Sequence, residues 1–283
     1  MRWLPPSLTL GAFRAAGSYA ARRNGRGVRQ LRANLARVVA GTPSLAGTDL
    51  DALTAAAMRS YARYWQEVFR LESMSAEQIV GGTNIEGEDI LRAAYAEGNG
   101  LILALPHCGN WDHAGAWLAH VGIPFTTVAE RLEPASVYDR FVAFRESLGM
   151  EVIPLTGGAA PFEFLAGRLH EGRALCLLAD RDLPGNGREV SFFGEPALMP
   201  AGPALLAVRT GAPLLPVSLW FDGLKPWNVR VHERIADPGE GSLAERVSAM
   251  MQAMADQFAA GIAEHPADWH MLARLWTADR VAA

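Results

Sequence analysis

A histidine and an aspartate, His107 and Asp112, stand five positions apart and are the residues of this sequence best suited by type and spacing to catalysis. A carboxylate can fix the tautomer of an imidazole and stabilise its cation, while the other ring nitrogen removes a proton from a hydroxyl group. A carboxylate at the start of a helix can also simply stabilise that helix. The pair resembles a catalytic triad without its serine, and the spacing alone leaves both roles of Asp112 open.

The position of His107 favours a catalytic role. The apolar run Leu101–Leu105 predicts a buried strand, and the segment from Pro106 to Asp112 joins that strand to a helix. Ligands of open α/β sheets bind outside the carboxyl ends of the strands. We therefore expect His107 at the edge of a sheet where a substrate can reach it.

The elements around this segment predict an α/β fold with a central, mostly parallel sheet flanked by helices. Glycines end several helices and short apolar runs follow them, a pattern that repeats four times after residue 75. The predicted strands are 101–105, 125–129, 151–155, 174–179, 214–221 and 227–235, and the predicted helices are 88–97, 110–120, 136–148, 161–171, 203–210 and 243–264. Residues 183–200 are predicted to be a loop. We assign residues 73–283 to this core.

Residues 1–72 are predicted to form basic helices that belong to the same domain. The first 48 residues contain no acid and eight arginines, namely Arg2, Arg14, Arg22, Arg23, Arg26, Arg29, Arg32 and Arg37. An apolar stripe of Val28, Leu31, Leu35, Val38 and Val39 repeats at helical spacing, with arginines turned away from it. This helix could lie on an anionic membrane surface, or its stripe could pack on the protein body.

Composition narrows the remaining classes. The 283 residues are half apolar and carry a net charge of -4, which excludes a disordered or fibrous chain. Net positive charge is confined to the N-terminal segment, so we expect a membrane surface and no nucleic acid as partner. No apolar stretch approaches the ~18 residues of a membrane span. Cys108 and Cys176 lack metal-type spacing, so no metal or redox cofactor is expected.

Sequence motifs along almost the whole chain resemble a known family. The segment from His107 to Asp112 is similar to the H-x4-D signature of the lipid A late acyltransferase superfamily. Later blocks also resemble that superfamily in order, namely 178–183, 190–195, 199–204 and 266–269 with Trp276. Segments 59–70, 128–134 and 141–149 resemble more closely the phosphatidylinositol mannoside acyltransferases of actinobacteria.

The resemblance implies a peripheral membrane enzyme at the cytoplasmic face of the plasma membrane. Such an enzyme transfers a long, palmitoyl-like acyl chain from acyl-CoA to a mannose hydroxyl of a phosphatidylinositol mannoside. By resemblance, His107 is the general base that takes the proton of the sugar hydroxyl. The hydroxyl then attacks the thioester directly, and no acyl-enzyme forms. Three alternatives remain open. The first is an acyltransferase of another lipid, of the lipid A or lysophospholipid type, and the second is a thioesterase that uses Cys108. The third is a membrane-binding module whose catalytic residues no longer act.

The resemblance also implies roles for other polar residues. Asp112 is expected to orient His107, and Asp180, at another strand end, stands where the mannoside enzymes carry a glutamate. This shorter carboxylate leaves open whether Asp180 or the nearby Asp182 reaches His107. Expected substrate-binding residues are Glu130 and Arg131, after the strand 125–129, together with Arg145 and Asp182. The acyl groove and the preferred chain length are not predicted.

Overall fold

The computed structural model describes residues 6–131, 133–155, 161–182, 185–222 and 227–281. Its strands in chain order are β1 (Thr83–Glu86), β2 (Leu101–Leu105), β3 (Phe125–Ala129), β4 (Glu151–Pro154), β5 (Ala174–Leu178), β6 (Arg188–Phe192), β7 (Glu195–Met199), β8 (Leu214–Phe221) and β9 (Trp227–Val231). Its helices are α1 (Pro6–Arg23), α2 (Arg26–Ala40), α3 (Leu50–Leu71), α4 (Ala76–Gly82), α5 (Glu88–Ala96), α6 (Trp111–His120), α7 (Ala135–Ser147), α8 (Pro161–His170), α9 (Gly202–Thr210), α10 (Leu243–Glu264) and α11 (Thr277–Val281).

Seven of the strands form one sheet in the order β1-β9-β8-β2-β5-β3-β4. Every neighbouring pair is parallel except β8 and β9, which are antiparallel. All five residues of β2 are buried, as expected for a strand covered by helices on both faces. The structure thus confirms the predicted α/β class with a mostly parallel sheet.

Most predicted elements are present, and the predicted loop at 183–200 is wrong. Strands β2, β3 and β8 and helix α10 have the predicted bounds. In place of the loop, β6 and β7 form an antiparallel hairpin. Its residues alternate between exposed and buried positions, so the apolar positions are too few to indicate a buried strand. Helix α4 and strand β1 were also not predicted.

The apolar stripe of α2 packs on the protein body. Val28, Leu31, Leu35 and Val38 are buried and belong to the same hydrophobic core as the sheet. The amide of Asn34, on the same face, donates hydrogen bonds to two main-chain carbonyls of the C-terminal segment. Of the two alternatives left open for this stripe, packing on the protein body is confirmed.

Helix α1 packs lengthwise on α3. A Cβ atom at Gly17 would lie 2.5 Å from the main-chain oxygen of Met58, so a glycine is required for this close approach. The opposite face of α1 is exposed. Within the described ranges, no helix is both long and apolar enough to cross a membrane.

Candidate active site

The strand order brings two chemically important residues together. Strands β2 and β5 are parallel neighbours, and their register pairs Leu105 with Leu178. His107 and Asp180 each lie two residues beyond this pair, at the carboxyl ends of their strands. Adjacent parallel strands in register therefore place the two side chains next to each other.

The ring of His107 is held by the carboxylate of Asp180. The His107 Nδ1 atom lies 2.5 Å from Asp180 Oδ1, and the His107 main-chain amide donates to Oδ2 at 2.9 Å. A carboxylate only accepts hydrogen bonds, so Nδ1 carries the proton and Nε2 presents its lone pair. Nε2 has no partner among the described protein atoms, and the ring is 21% exposed. This is the arrangement of an oriented general base.

Asp180 remains ionised despite complete burial. Burial raises the pKa of this carboxyl group, but the charge of His107 and hydrogen bonds from His107 and Trp269 outweigh that effect. The net result is a pKa below the usual value of an aspartate. Asp180 is 0% exposed, so its negative charge acts on His107 with little screening by water.

Residues 268–270, near the C-terminus, hold this pair in place through hydrogen bonds. Trp269 Nε1 donates to Asp180 Oδ2 at 2.9 Å, and the main-chain amide of His270 donates to the carbonyl of His107 at 2.8 Å. Gly109 has a φ of +54° and its amide donates to the carbonyl of Asp268. A side chain at Gly109 would press on the backbone of β8, so only glycine fits this turn.

His107 opens into a cavity of about 250 Å³ with mostly aromatic walls. The lining residues are Tyr61, Tyr64, Trp65, His107, Trp111, Arg181, His270, Met271, Leu272 and Ala273. Tyr61, Tyr64 and Trp65 come from α3. Aromatic faces and a few polar groups in one concave site are typical of ligand binding.

Asp112 does not orient His107. Its Oδ2 accepts a hydrogen bond from the Tyr64 hydroxyl at 2.7 Å, and its Oδ1 accepts one from Arg145 Nε at 2.7 Å. Asp112 lies in the first turn of α6, where its side chain faces the core instead of the His107 ring. The role expected for Asp112 beside His107 therefore falls to Asp180.

Arg145 likewise has an internal role. Its side chain is buried and pairs with Asp112, so the expectation that it binds substrate is not supported. Burial and the Asp112 charge raise the pKa of Tyr64 well above its usual value, so the phenol keeps the proton that it donates. Tyr64 in turn stacks on Trp111 at 4.1 Å between ring centroids. The buried ion pair thus fixes two walls of the cavity.

We expect Asp112→Asn to act mainly on stability. The substitution leaves the buried guanidinium of Arg145 without a counter-charge, which typically costs about 3–5 kcal/mol. The free energy of unfolding, measured with urea, should fall by this amount. The double variant Asp112→Asn with Arg145→Met should recover part of the loss, because it buries no unpaired charge. Equal stability of Asp112→Asn and the unchanged protein would contradict the proposed internal role.

The remaining predicted site residues are Glu130, Arg131 and Asp182. Glu130 is exposed at the end of β3 and faces Arg181, with 3.7 Å between Oε2 and Nη1. Arg131 is exposed as well. Asp182 is buried and accepts a hydrogen bond from the amide of Gly185, so it does not replace Asp180 beside His107.

Cys108 is not placed for nucleophilic chemistry. Its side chain is buried, and burial together with the charges of Asp180 and Asp268 raises the pKa of the thiol well above its usual value. The reactive thiolate is therefore disfavoured. In the described part of the chain, no group of three or more histidine, cysteine or acidic residues could hold a metal ion.

Sequence reasoning missed several residues of the site. Nothing in the spacing of Tyr61, Tyr64 and Trp65 separates them from ordinary core residues of a helix, and His270 has no ligand-type spacing. Trp269 stood inside a recognised motif, but nothing in the sequence indicated its hydrogen bond to Asp180. These residues approach His107 only through long-range packing. Membership in the family motifs was the only available signal for Tyr61, Tyr64, Trp65 and Trp269, and His270 lies outside those motifs.

The α/β sheet carries a His-x4-Asp segment at its carboxyl edge, and the histidine of that segment pairs with a buried carboxylate, which agrees with the resemblance to the lipid acyltransferases. The family model described as bacterial lipid A biosynthesis acyltransferase matches residues 1–278, and the chain belongs to that family. It is 51% identical over 280 residues to the phosphatidylinositol mannoside acyltransferase of Mycolicibacterium smegmatis, covering 99% of this chain and 88% of the relative. It is 50% identical over 282 residues to the protein of that name from Mycobacterium tuberculosis, covering 99% and 86%.

Proposed function

We propose that this protein transfers a long acyl chain from acyl-CoA to a mannose hydroxyl of a phosphatidylinositol mannoside. The observation that carries the proposal is the His107 ring, whose Nδ1 is bound to the buried Asp180 and whose Nε2 is left for a ligand. The names of two relatives at about 50% identity support the acceptor.

The proposed reaction is one direct displacement. Nε2 of His107 takes the proton of the mannose hydroxyl while the hydroxyl oxygen attacks the thioester carbonyl carbon. The carbon–sulfur bond then breaks, and the CoA sulfur takes the proton from His107 as it leaves. The products are an ester and free CoA, and Asp180 stabilises the imidazolium that exists between the two proton transfers. No acyl-enzyme forms.

A narrow internal cavity is our candidate site for the acyl chain. Trp111 lines both this cavity and the His107 cavity, and the surface of the internal cavity is mostly apolar. Residues on its walls include Leu103, Leu105, Trp111, Gly115, Phe125, Met150, Cys176, Leu178 and Val217. Its free volume is about 60 Å³, so a long chain enters only as flexible side chains such as Met150 move aside.

Gly115→Leu is expected to shift the preference toward shorter acyl donors. A Cβ atom at this position would lie 2.9 Å from Met150 Cε and 3.1 Å from Phe125 Cζ, so a larger side chain fills the cavity. We expect the ratio of kcat/KM for palmitoyl-CoA over octanoyl-CoA to fall by about tenfold, the effect of ~1.4 kcal/mol. Activity with octanoyl-CoA serves as the internal control for folding. An unchanged ratio would place the acyl chain elsewhere.

We propose that α1, and not the apolar stripe of α2, contacts the membrane, at the cytoplasmic face. Leu8 and Tyr19 are 64% and 62% exposed, and eleven residues, three helical turns, place them on one face of α1. Arg22 and Arg23 are exposed at the end of this face, and Arg26 is exposed at the first position of α2. None of the three has an acidic partner among the described residues. An apolar face beside unpaired arginines suits an anionic lipid surface.

The triple variant Arg22, Arg23 and Arg26→Gln should bind anionic liposomes on the order of 100-fold more weakly. Each arginine near such a surface contributes about 1 kcal/mol. The loss should be larger at low salt, because charges are screened within ~10 Å at 0.1 M. Liposome co-sedimentation measures the binding. Replacing Arg92, Arg188 and Arg209 by glutamine removes the same charge from other surfaces and should have little effect. Equal losses of liposome binding in both triple variants would indicate that the protein is attracted to anionic lipid by its overall charge, without a defined binding face.

Arg32 and Arg37 of α2 are less suitable for this test. Arg32 is paired with Asp51, and Arg37 is paired with Asp279 and Glu195 while lying on the ring of Trp276. Their replacement would disturb packing within the protein. Arg2, another of the eight N-terminal arginines, lies outside the described residues.

The proposed function is tested with purified protein, radiolabelled palmitoyl-CoA and monomannosylated phosphatidylinositol. Thin-layer chromatography should show a labelled acyl-lipid, and free CoA should form in equal amount. Lysophosphatidylinositol and a glucosamine-based lipid A precursor serve as rival acceptors. Preferred labelling of either rival would overturn the acceptor. CoA release without any acyl-lipid would indicate a thioesterase.

A further inference from the structure

A second open cavity, which we name the α1–α3 cavity, has a volume of about 500 Å³. It is enclosed by α1, α3, Phe221 at the end of β8 and residues 264–268. Among the described residues, none lines both this cavity and the His107 cavity. The α3 residues on its wall share one face of the helix and are Ala56, Arg59, Ser60 and Arg63. The α1–α3 cavity is therefore separate from the catalytic site.

Close packing of α1 on α3 brings Arg14 and Arg59 to this cavity. A Cβ atom at Gly17 would lie 3.0 Å from the Cα atom of Arg59, so the two helix backbones touch there. Arg14 is three residues before Gly17, on the same side of α1, and lines the cavity together with Arg59. Arg14 is exposed and Arg59 is half-buried. Both side chains are therefore open to solvent, where a ligand can reach them.

The charges of Arg14 and Arg59 are not neutralised within the described part of the chain. Neither side chain forms an ion pair or a hydrogen bond with a described residue. Two carboxylates also line the cavity, but Glu264 is already paired with Arg230 at 2.7 Å. Asp268 accepts hydrogen bonds from a serine hydroxyl and from a main-chain amide. Both acids are thus occupied by other groups.

The rest of the wall leaves the cavity with a net positive charge. Arg63 is buried, is paired with Glu67 at 2.6 Å and lies over the ring of Phe221. Burial lowers the pKa of His265, so this ring adds no charge at neutral pH. The two ion pairs, of Arg63 and of Glu264, cancel internally. On the described wall, Arg14 and Arg59 then outnumber the single remaining carboxylate, that of Asp268.

We propose that Arg14 and Arg59 bind a phosphate group in the α1–α3 cavity. A guanidinium group offers a planar fork of donors that matches two phosphate oxygens. Two like charges that face one cavity repel each other, and a bound anion removes this repulsion. Two sources supply such a group, namely the phosphodiester of an anionic phospholipid and the phosphates of CoA. The inference goes beyond the proposed function, because neither arginine lines the His107 cavity.

The position of Arg14 on its helix favours the phospholipid. Arg14 is six residues after Leu8, which places it about a third of a turn around the helix axis. Gly17, which faces α3, lies on the side of α1 opposite to Leu8. Arg14 therefore lies on the flank of α1, between the exposed apolar face and α3. With Leu8 in the lipid, as proposed above, this flank is at the level of the headgroup phosphates.

The double variant Arg14→Gln with Arg59→Gln tests the site. Isothermal titration calorimetry measures the Kd of dihexanoyl phosphatidylglycerol, a soluble phospholipid, below its micelle concentration. We expect the Kd to rise about tenfold to a hundredfold, the effect of losing hydrogen bonds to a charged group. The double variant Arg92→Gln with Arg188→Gln removes the same charge elsewhere and should keep the Kd of the unchanged protein. Equal Kd values for the two double variants would overturn the inference.

Other ligands identify the source of the phosphate. A rise in Kd for phosphatidylglycerol, with the Kd of CoA unchanged, would support a lipid headgroup site. A rise for CoA that is absent for dephospho-CoA would support the same site with the ribose phosphate of CoA as its ligand. Dihexanoyl glycerol lacks the phosphate and should bind the unchanged protein and the Arg14 and Arg59 variant equally. Failure of the unchanged protein to bind either phosphatidylglycerol or CoA would reject the site.

The calorimetric test does not depend on acyl transfer or on whole membranes. Absence of acyl transfer by the unchanged protein would reject the proposed function, and absence of liposome binding would reject the membrane contact of α1. Neither result changes the Kd comparison. Arg14→Gln alone replaces an exposed side chain, so it keeps the fold if the double variant unfolds. We expect this single variant to raise the same Kd by a smaller factor, and an unchanged Kd would remove Arg14 from the site.

Discussion

His107→Ala is expected to lower the rate of acyl transfer by ~10²–10⁴, the usual contribution of a positioned general base. Without the imidazole, no group of the described cavity is placed to take the proton of the attacking hydroxyl. The ring is partly exposed and at the surface of a cavity, so its loss leaves the core packed. The buried Asp180 also loses its partner, so the unfolding temperature should fall, but a cooperative unfolding transition should remain while product formation on thin-layer chromatography nearly disappears.

Cys108→Ser is the matched control at the neighbouring position. The thiol is buried and its raised pKa keeps it protonated, so a serine of similar size should keep most of the activity. Transfer by His107→Ala at the rate of the unchanged protein would remove His107 from the mechanism. Loss of activity in Cys108→Ser with covalent labelling of the unchanged protein would instead support the thioesterase alternative.

Asp180→Asn is expected to have the second largest effect, a loss of up to about 10⁴, by analogy with the aspartate of the Ser-His-Asp triad. An asparagine removes the negative charge that stabilises the imidazolium. Its amide can also donate to Nδ1, which would turn the proton to Nε2 and block the base. The KM for either substrate should change little, because Asp180 is fully buried and does not line the cavity.

Two comparisons make this prediction specific. Asp180→Glu keeps the negative charge and introduces the residue that the resembling mannoside enzymes carry. Its activity should therefore exceed that of Asp180→Asn if the longer side chain reaches Nδ1. Asp112→Asn should lower stability more than Asp180→Asn does, because Asp112 neutralises the buried Arg145. A larger loss of kcat for Asp112→Asn than for Asp180→Asn, at equal stability, would return the orienting role to Asp112.

The sequence by itself determined the local elements and the position of the base. Buried strands such as β2 and β8 are continuous apolar runs, and the hydrophobic effect acts on such runs wherever they pack. A histidine directly after β2 therefore had to lie at the carboxyl edge of a sheet. Motif resemblance added the family and the reaction class, because these depend on residues that are close in sequence.

Only the tertiary structure decided which carboxylate serves His107. Asp112 is five residues away but belongs to a helical turn that faces Tyr64 and Arg145, which come from α3 and α7. Asp180 is 73 residues away, and the pairing of β5 with β2 brings it into contact. The same holds for the stripe of α2, whose amphipathic pattern suits lipid and protein equally. Such choices depend on which surfaces meet across the whole fold, and a local pattern carries no information about its partner.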